Sequence, residues 1–437
     1  VHFFVAFGLD GLDLEVAARR FAVLYSEASN AGKLLLLDVL FYALNWDISG
    51  VNIAAALLGN PPLAPWGAFK EVARRVEELV FHLHGVEKAY SVALLYPRLA
   101  TQHTSFGELS KAVEYAKEAL EALEELWNTY EKDRALTVEK LRPYLELRRI
   151  KPDLEKELNE LSQHVYYHVA LVYTYTDELD KAVEYAKKAC ELSKKLGHVY
   201  YEVLSCGLPP RLRAVRGGAP PVEEFIELWQ KALRAVDWLD AAVIAAVLGE
   251  YVVALAFARR LGDVEKVLEE WSWALELYRH ASALTYGVLS LFDGQYLEKA
   301  VGHLPEEAKA NLPRLADALH DAIKAGLFAE EPEIAMSAME TLTLAYGEEV
   351  VKALFEVATD SVKLLLSALV GLAHCKRGEE WGLKLAKEAA RMGAQLFKGL
   401  RGRLFSELAK VTEELTTGGC VTGRVPRIIF KLYYSHV

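Results

Sequence analysis

The sequence predicts an all-α protein: an array of helical hairpins, either one elongated α-solenoid or two lobes. Three observations predict it. Apolar residues recur at three- and four-residue spacing in nearly every segment between Leu14 and Leu415, the period of a helix with one buried face. Strand-like patterning is missing until Val425. One stretch is written nearly twice, GELSKAVEYAKEALEALEEL at 107–126 and DELDKAVEYAKKACELSKKL at 177–196, as a repeat array writes its units.

Residues 1–92 read as an N-terminal helical cap. Helices are expected at 14–29 and 33–44, parted by Asn30-Ala31-Gly32. A short helix at 51–58 ends at Gly59-Asn60-Pro61-Pro62, and a longer one spans 66–83 with Val72, Val76, Leu79 and Val80 as its stripe. A repeat array needs such a cap to hide its terminal apolar face. Residues 2–9 lack the basic start and the long apolar run of a signal peptide.

The repeat-bearing region, 93–205, follows. The shared core is LxKAVEYAKxAxE at Leu109–Glu121 and Leu179–Glu191. On a helix, Ala112, Tyr115, Ala116 and Ala119 fall on one face, as do Ala182, Tyr185, Ala186 and Ala189. Small residues there admit a close neighbouring helix, and the aromatic fills the remaining gap. Counting back from Ala182 places Ala170, Tyr173 and a turn at Asp177; counting back from Ala112 places Ala100, His103 and Gly107.

On these residues, 163–196 resembles a tetratricopeptide repeat. Segment 93–126 resembles a second, with Pro97 inside its first helix and His103 at the aromatic position. Degenerate copies are expected at Leu248–Tyr278, turning at Gly262, and at Ser361–Ala390, turning at Gly378. Residues 127–162 do not obey the pattern, and an irregular helix pair is expected there. The resemblance implies a non-enzymatic scaffold that binds a protein or peptide partner in a concave groove lined by the first helix of each unit. The groove residues it implies are His164, Tyr167, Leu171, Thr174 and Tyr175. From the third unit it adds Arg259 and Arg260.

Residues 206–221, CGLPPRLRAVRGGAPP, read as a linker, because two Pro-Pro pairs and a Gly-Gly oppose a continuous helix. Its Arg211, Arg213 and Arg216 read as solvated charge, or alternatively as an anion contact. A second helical domain is expected over 222–420, with helices at 222–236, 239–260, 264–281, 306–325, 332–346, 348–358, 361–376, 379–398 and 404–415. Within it, 241–258 has nearly the length and apolarity of a membrane span, but Glu250 at its middle and its many alanines favour a buried helix. The tail at 421–437 contains VPRIIFKLYY, basic and β-prone, and reads as a terminal strand, a docking peptide or a last helix.

A net charge of -11 opposes nucleic-acid binding over the whole surface, which needs many cations near phosphates. Four cysteines without paired or metal-finger spacing predict free thiols in a reducing cytoplasm and no disulfide framework. Three Met and few Gln and Asn, beside abundant Glu, Lys and Arg, hint at a thermophilic source. No phosphate-binding loop, nucleophile elbow or zinc-protease motif is present, so no catalytic residue, cofactor or metal is expected. His164 and His168, four apart, lack a third ligand by spacing. Arg98 and His103 fit the R-x4-H spacing of HEPN-type ribonucleases. A helical RNA-binding or RNA-processing protein is therefore the second expectation, and the regulatory part of a larger NTPase the third.

Overall fold

The computed structural model describes residues 14–44, 65–105, 107–147, 153–329 and 331–436. The short helix expected at 51–58 lies outside them. Among the described residues there are 22 α-helices and no strand, with consecutive helices packed as in a solenoid-like array. The chain divides into two compact units, one of residues 1–173 and 191–196, the other of residues 174–190 and 197–437.

The first unit contains α1 (Leu14–Glu27), α2 (Asn30–Leu44), α3 (Pro65–Phe81), α4 (Gly85–Ser105), α5 (Leu109–Lys132), α6 (Arg134–Leu147) and most of α7 (Leu154–Tyr175). Asn30-Ala31-Gly32 is the first turn of α2 and not a break; the bend falls at Ala28 and Ser29. Helices α4 and α5 form the main hairpin, and α2 packs on α3, α4 and α6. Ala112, Tyr115, Ala116 and Ala119 are buried as their spacing requires. Tyr115 meets Tyr96 edge-on at 4.9 Å, the geometry aromatic quadrupoles favour. The hairpin turns at Gly107, φ 75°. There the amides of Gly107 and Glu108 donate to the carbonyls of Thr104 and His103, satisfying the orphan acceptors of the helix end.

The second unit takes in much of α8 (Leu179–Leu196), then α9 (Val199–Val215), α10 (Val222–Arg234), α11 (Ala241–Phe257), α12 (Leu261–Glu276) and α13 (Arg279–Ser290). It continues through α14 (Leu297–Val301), α15 (Glu306–Ala310), α16 (Leu312–Ala325), α17 (Pro332–Tyr346) and α18 (Glu348–Thr359). Helices α19 (Ser361–Lys376), α20 (Glu380–Leu396), α21 (Gly399–Glu413) and α22 (Val425–His436) complete it. The left-handed turns between α11 and α12 and between α19 and α20 fall at Arg259 (φ 63°) and Gly378 (φ 92°). Gly262 therefore stands inside α12 and not at the turn.

Two expectations are corrected here, and one left open is decided. Helix α9 runs through Pro209 and Pro210 to Val215, so the linker is only the short break that follows, where Gly217 has φ 89°. The local cost of two prolines is offset by burial: Leu208, Pro210 and Leu212 are buried, and α9 packs on α10 and α22. The β-prone tail is helix α22, the last of the three readings its sequence left open. It packs on α9, α13, α19 and α21, burying Val425, Ile428, Ile429, Phe430, Tyr433 and Tyr434. A helix covered on most sides is apolar on most sides, and that removes the polar face that would have marked it as helical.

The second correction concerns the cysteines. Cys190 pairs with Cys206 and Cys375 with Cys420, so no free thiol remains. The Cα–Cα separations of 4.6 and 5.9 Å lie within the range a disulfide bridges. Sequence spacing missed both because each pair is brought together by helix packing. Among the described residues, no helix is long and apolar enough to cross a membrane. The candidate span is α11, which is buried inside its unit.

Candidate functional site

The residues singled out from sequence occupy varied surroundings. On α7, His164 is almost buried and its Nε2 donates to the Leu94 carbonyl at 3.1 Å. Its ring meets His168 at 4.5 Å, and His168 Nδ1 lies 2.9 Å from the Thr101 hydroxyl. Burial, with the Arg98 charge adding to it, holds His168 down to about 3, so it stays neutral. Among the described residues no cluster of three metal-ligating side chains exists. Tyr167 and Leu171 are half-buried, and Thr174 is almost buried.

In the second unit, Tyr175 is engaged from within. The Arg401 guanidinium lies 4.7 Å from its ring centroid and 3.3 Å from its hydroxyl. Two residues on, Asp177 takes a two-pronged bond from Arg403 at 2.5 and 2.8 Å. Arg259 lies over Phe292 at 5.7 Å, and Arg260 pairs with Asp263 at 2.7 Å and Glu223 at 3.9 Å. The implied groove positions are thus largely spent on internal contacts.

The nuclease-like pair fares similarly. Arg98 is ion-paired to Asp38 at 2.7 Å. His103 is 2% exposed, edge-on to Phe69, stacked on Tyr115 and bonded to Glu108 at 2.8 Å. Burial holds its imidazole below the usual range. The three arginines after Cys206 are also paired: Arg211 with buried Glu250, Arg213 with Glu224, and Arg216 with Asp180.

The feature that sequence reading passed over is α17. Its sequence, PEIAMSAMETLTLAY, is apolar on more than one face, yet only Ala338 and Leu342 are buried. Leu344 is 90% exposed and Met336 60% exposed, with Ile334 and Met339 also open to solvent. Met339, Thr343 and Leu344 form one wall of a groove of about 760 Å³, with Val351 and Phe355 of α18 opposite. Phe355 is braced edge-on by Phe328 at 5.6 Å. Glu340 and the Glu348–Lys352 pair, bonded at 2.7 Å, stand at its edges. An apolar helix face left open this way makes the groove the candidate site. The available signal was that Met336 and Met339, two of the three methionines, share one short helix with Leu342 and Leu344.

The fold and this groove define an all-α protein with a solenoid-like array of helices and an apolar groove open to solvent. Compared with known proteins, the chain matches no family model and no curated protein.

Proposed function

We propose that the protein is a non-catalytic helical scaffold that docks a helix of a partner protein in the α17–α18 groove. The observation that carries this reading is α17 itself, an apolar helix with most of its side chains uncovered. The shape suits a helix, whose anchors at i, i+3/i+4 and i+7 fill an apolar groove. Methionine adapts to varied partner shapes.

Magnitudes bound the affinity. Burying Leu344, Met339 and the open part of Phe355 gains about 2 kcal/mol each. Association itself costs at least about 4 kcal/mol. The apolar surplus therefore supports a reversible contact and not a permanent one.

A helical RNA-binding reading has less support, because Arg98, Arg211, Arg213 and Arg216 are held in ion pairs. The composition suggests a thermophile's cytoplasm, and two disulfides fit that setting, since intracellular proteins of hyperthermophiles are disulfide-rich. The test is affinity capture with the wild-type protein and with a Met339→Gln/Leu344→Gln variant. A protein whose docking segment maps to a helix, and that the variant loses, supports the reading. Capture that is indifferent to the substitutions, or of RNA alone, overturns it.

A further inference from the structure

We infer that the helix taken by the α17–α18 groove is basic; this rests on reading the groove as a docking site and adds the chemistry of its partner. Glu340 and Glu348 line the groove, and the helices that wall it also carry Glu333, Glu349 and Glu356, with Glu331 just before α17. The cation on the same two helices is Lys352, and it is already bonded to Glu348. Glu356 is likewise engaged, by Lys363. Glu331, Glu333, Glu340 and Glu349 are exposed, and they leave the two helices that wall the groove with excess negative charge.

The neighbouring α15 and α16 do not cancel it: their acids Glu306, Glu307, Asp317 and Asp321 outnumber the cations Lys309, Arg314 and the exposed Lys324. On α16, Arg314 donates to the Tyr346 carbonyl at 2.6 Å, at the C-terminal end of α17. On α15, Lys309 is paired with Glu306 at 2.5 Å. An acidic rim steers and selects a cationic partner, and penalises an acidic one. The partner this geometry fits is an amphipathic helix with a Leu, Ile or Met row at i, i+3/i+4, i+7 and Lys or Arg flanking it. A second copy of this chain is a poor occupant, because its α17 face would bring the same glutamates against these.

The experiment uses the full-length protein and three labelled peptides of about 18 residues, five helical turns each. They share one leucine row and carry Lys, Gln or Glu on the flanks. Fluorescence anisotropy reads their affinities at about 0.05 and about 0.5 M salt. The expected result is Lys over Gln over Glu, at least about tenfold between the extremes at low salt, narrowing at high salt. Leu344→Gln with Met339→Gln should weaken the Lys peptide at least about tenfold without changing protein charge; unchanged binding would mean general attraction to an acidic surface and overturn the site. Glu340→Gln with Glu349→Gln should compress the Lys-over-Glu ratio while sparing the Gln peptide. If all three peptides bind alike and respond to Leu344→Gln, the groove docks helices but the basic preference is wrong. If none binds, the docking reading itself fails. A concentration-dependent dimer lost in Leu344→Gln would assign the face to self-association and overturn the inference.

Discussion

Arg211 and Glu250 show how far one residue's role departs from what its position in sequence implies. Arg211 stood in a stretch read as an exposed linker, and Glu250 was an interruption in an apolar run. In the fold they are buried partners. Burial pushes the Glu250 carboxyl up, and the Arg211 charge opposes that rise. The neighbouring Tyr434 hydroxyl donates to the Glu250 carbonyl at 2.7 Å, tying α11 to α22. Desolvating two charges is costly even when they meet, so the pair adds little net stability, whereas breaking it is expensive. Glu250→Leu alone should destabilise by about 3 kcal/mol, as should Arg211→Met. The double variant should recover most of that loss, read as the coupling energy of a denaturation cycle. Additive losses would show that the two side chains do not act as a pair.

At the scale of elements, close helix packing is set by glycines. Helix α19 lies against α20 with Gly371 facing Gly382. A Cβ on Gly371 would stand 2.6 Å from the Ala386 nitrogen and 2.7 Å from the Gly382 carbonyl oxygen. Those are backbone atoms that cannot step aside singly, so the two helices would have to part. Gly371→Ala should therefore cost about 1–3 kcal/mol, the range for overpacking. Gly262 offers the matched control. It lies in α12 with nothing within 4 Å of an added Cβ, so Gly262→Ala should gain about 0.5–1 kcal/mol from helix propensity. Chemical denaturation of both variants decides; equal effects would mean that the close approach does not govern packing.

The same scale explains what was legible. Helices with one wet face announced themselves, as α5 and α20 did through their alanine rows. Helices that became core did not: α22 was hidden by apolar residues on nearly every side, and α13, whose residues Ala281–Ser290 are all buried, left no polar stripe to mark it. The prolines of α9 misled because tertiary burial overrode local propensity. At the candidate site the helix 332–346 was legible, but its exposure was not. A sequence shows that a side chain is apolar, not whether another helix covers it.

For the molecule as a whole, both disulfides fall in one unit. The segment 1–173 and 191–196 contains no cysteine, so reduction acts on the other unit alone. Cys190–Cys206 joins α8 to α9 across a separation of 16 residues, and Cys375–Cys420 joins α19 to the approach to α22 across 45. Closing loops of these lengths removes chain entropy from the unfolded state worth about 3 and about 4 kcal/mol. The second bond carries the larger share and also holds the region where α22 enters the core, so its loss should be felt more. Thiol titration of the unreduced, denatured protein should find no free cysteine. Reduction should lower the melting temperature, with Cys375→Ser/Cys420→Ser lowering it more than Cys190→Ser/Cys206→Ser. Four titratable thiols in the native preparation, or a melting temperature indifferent to reductant, would show that helix packing alone holds these cysteines together.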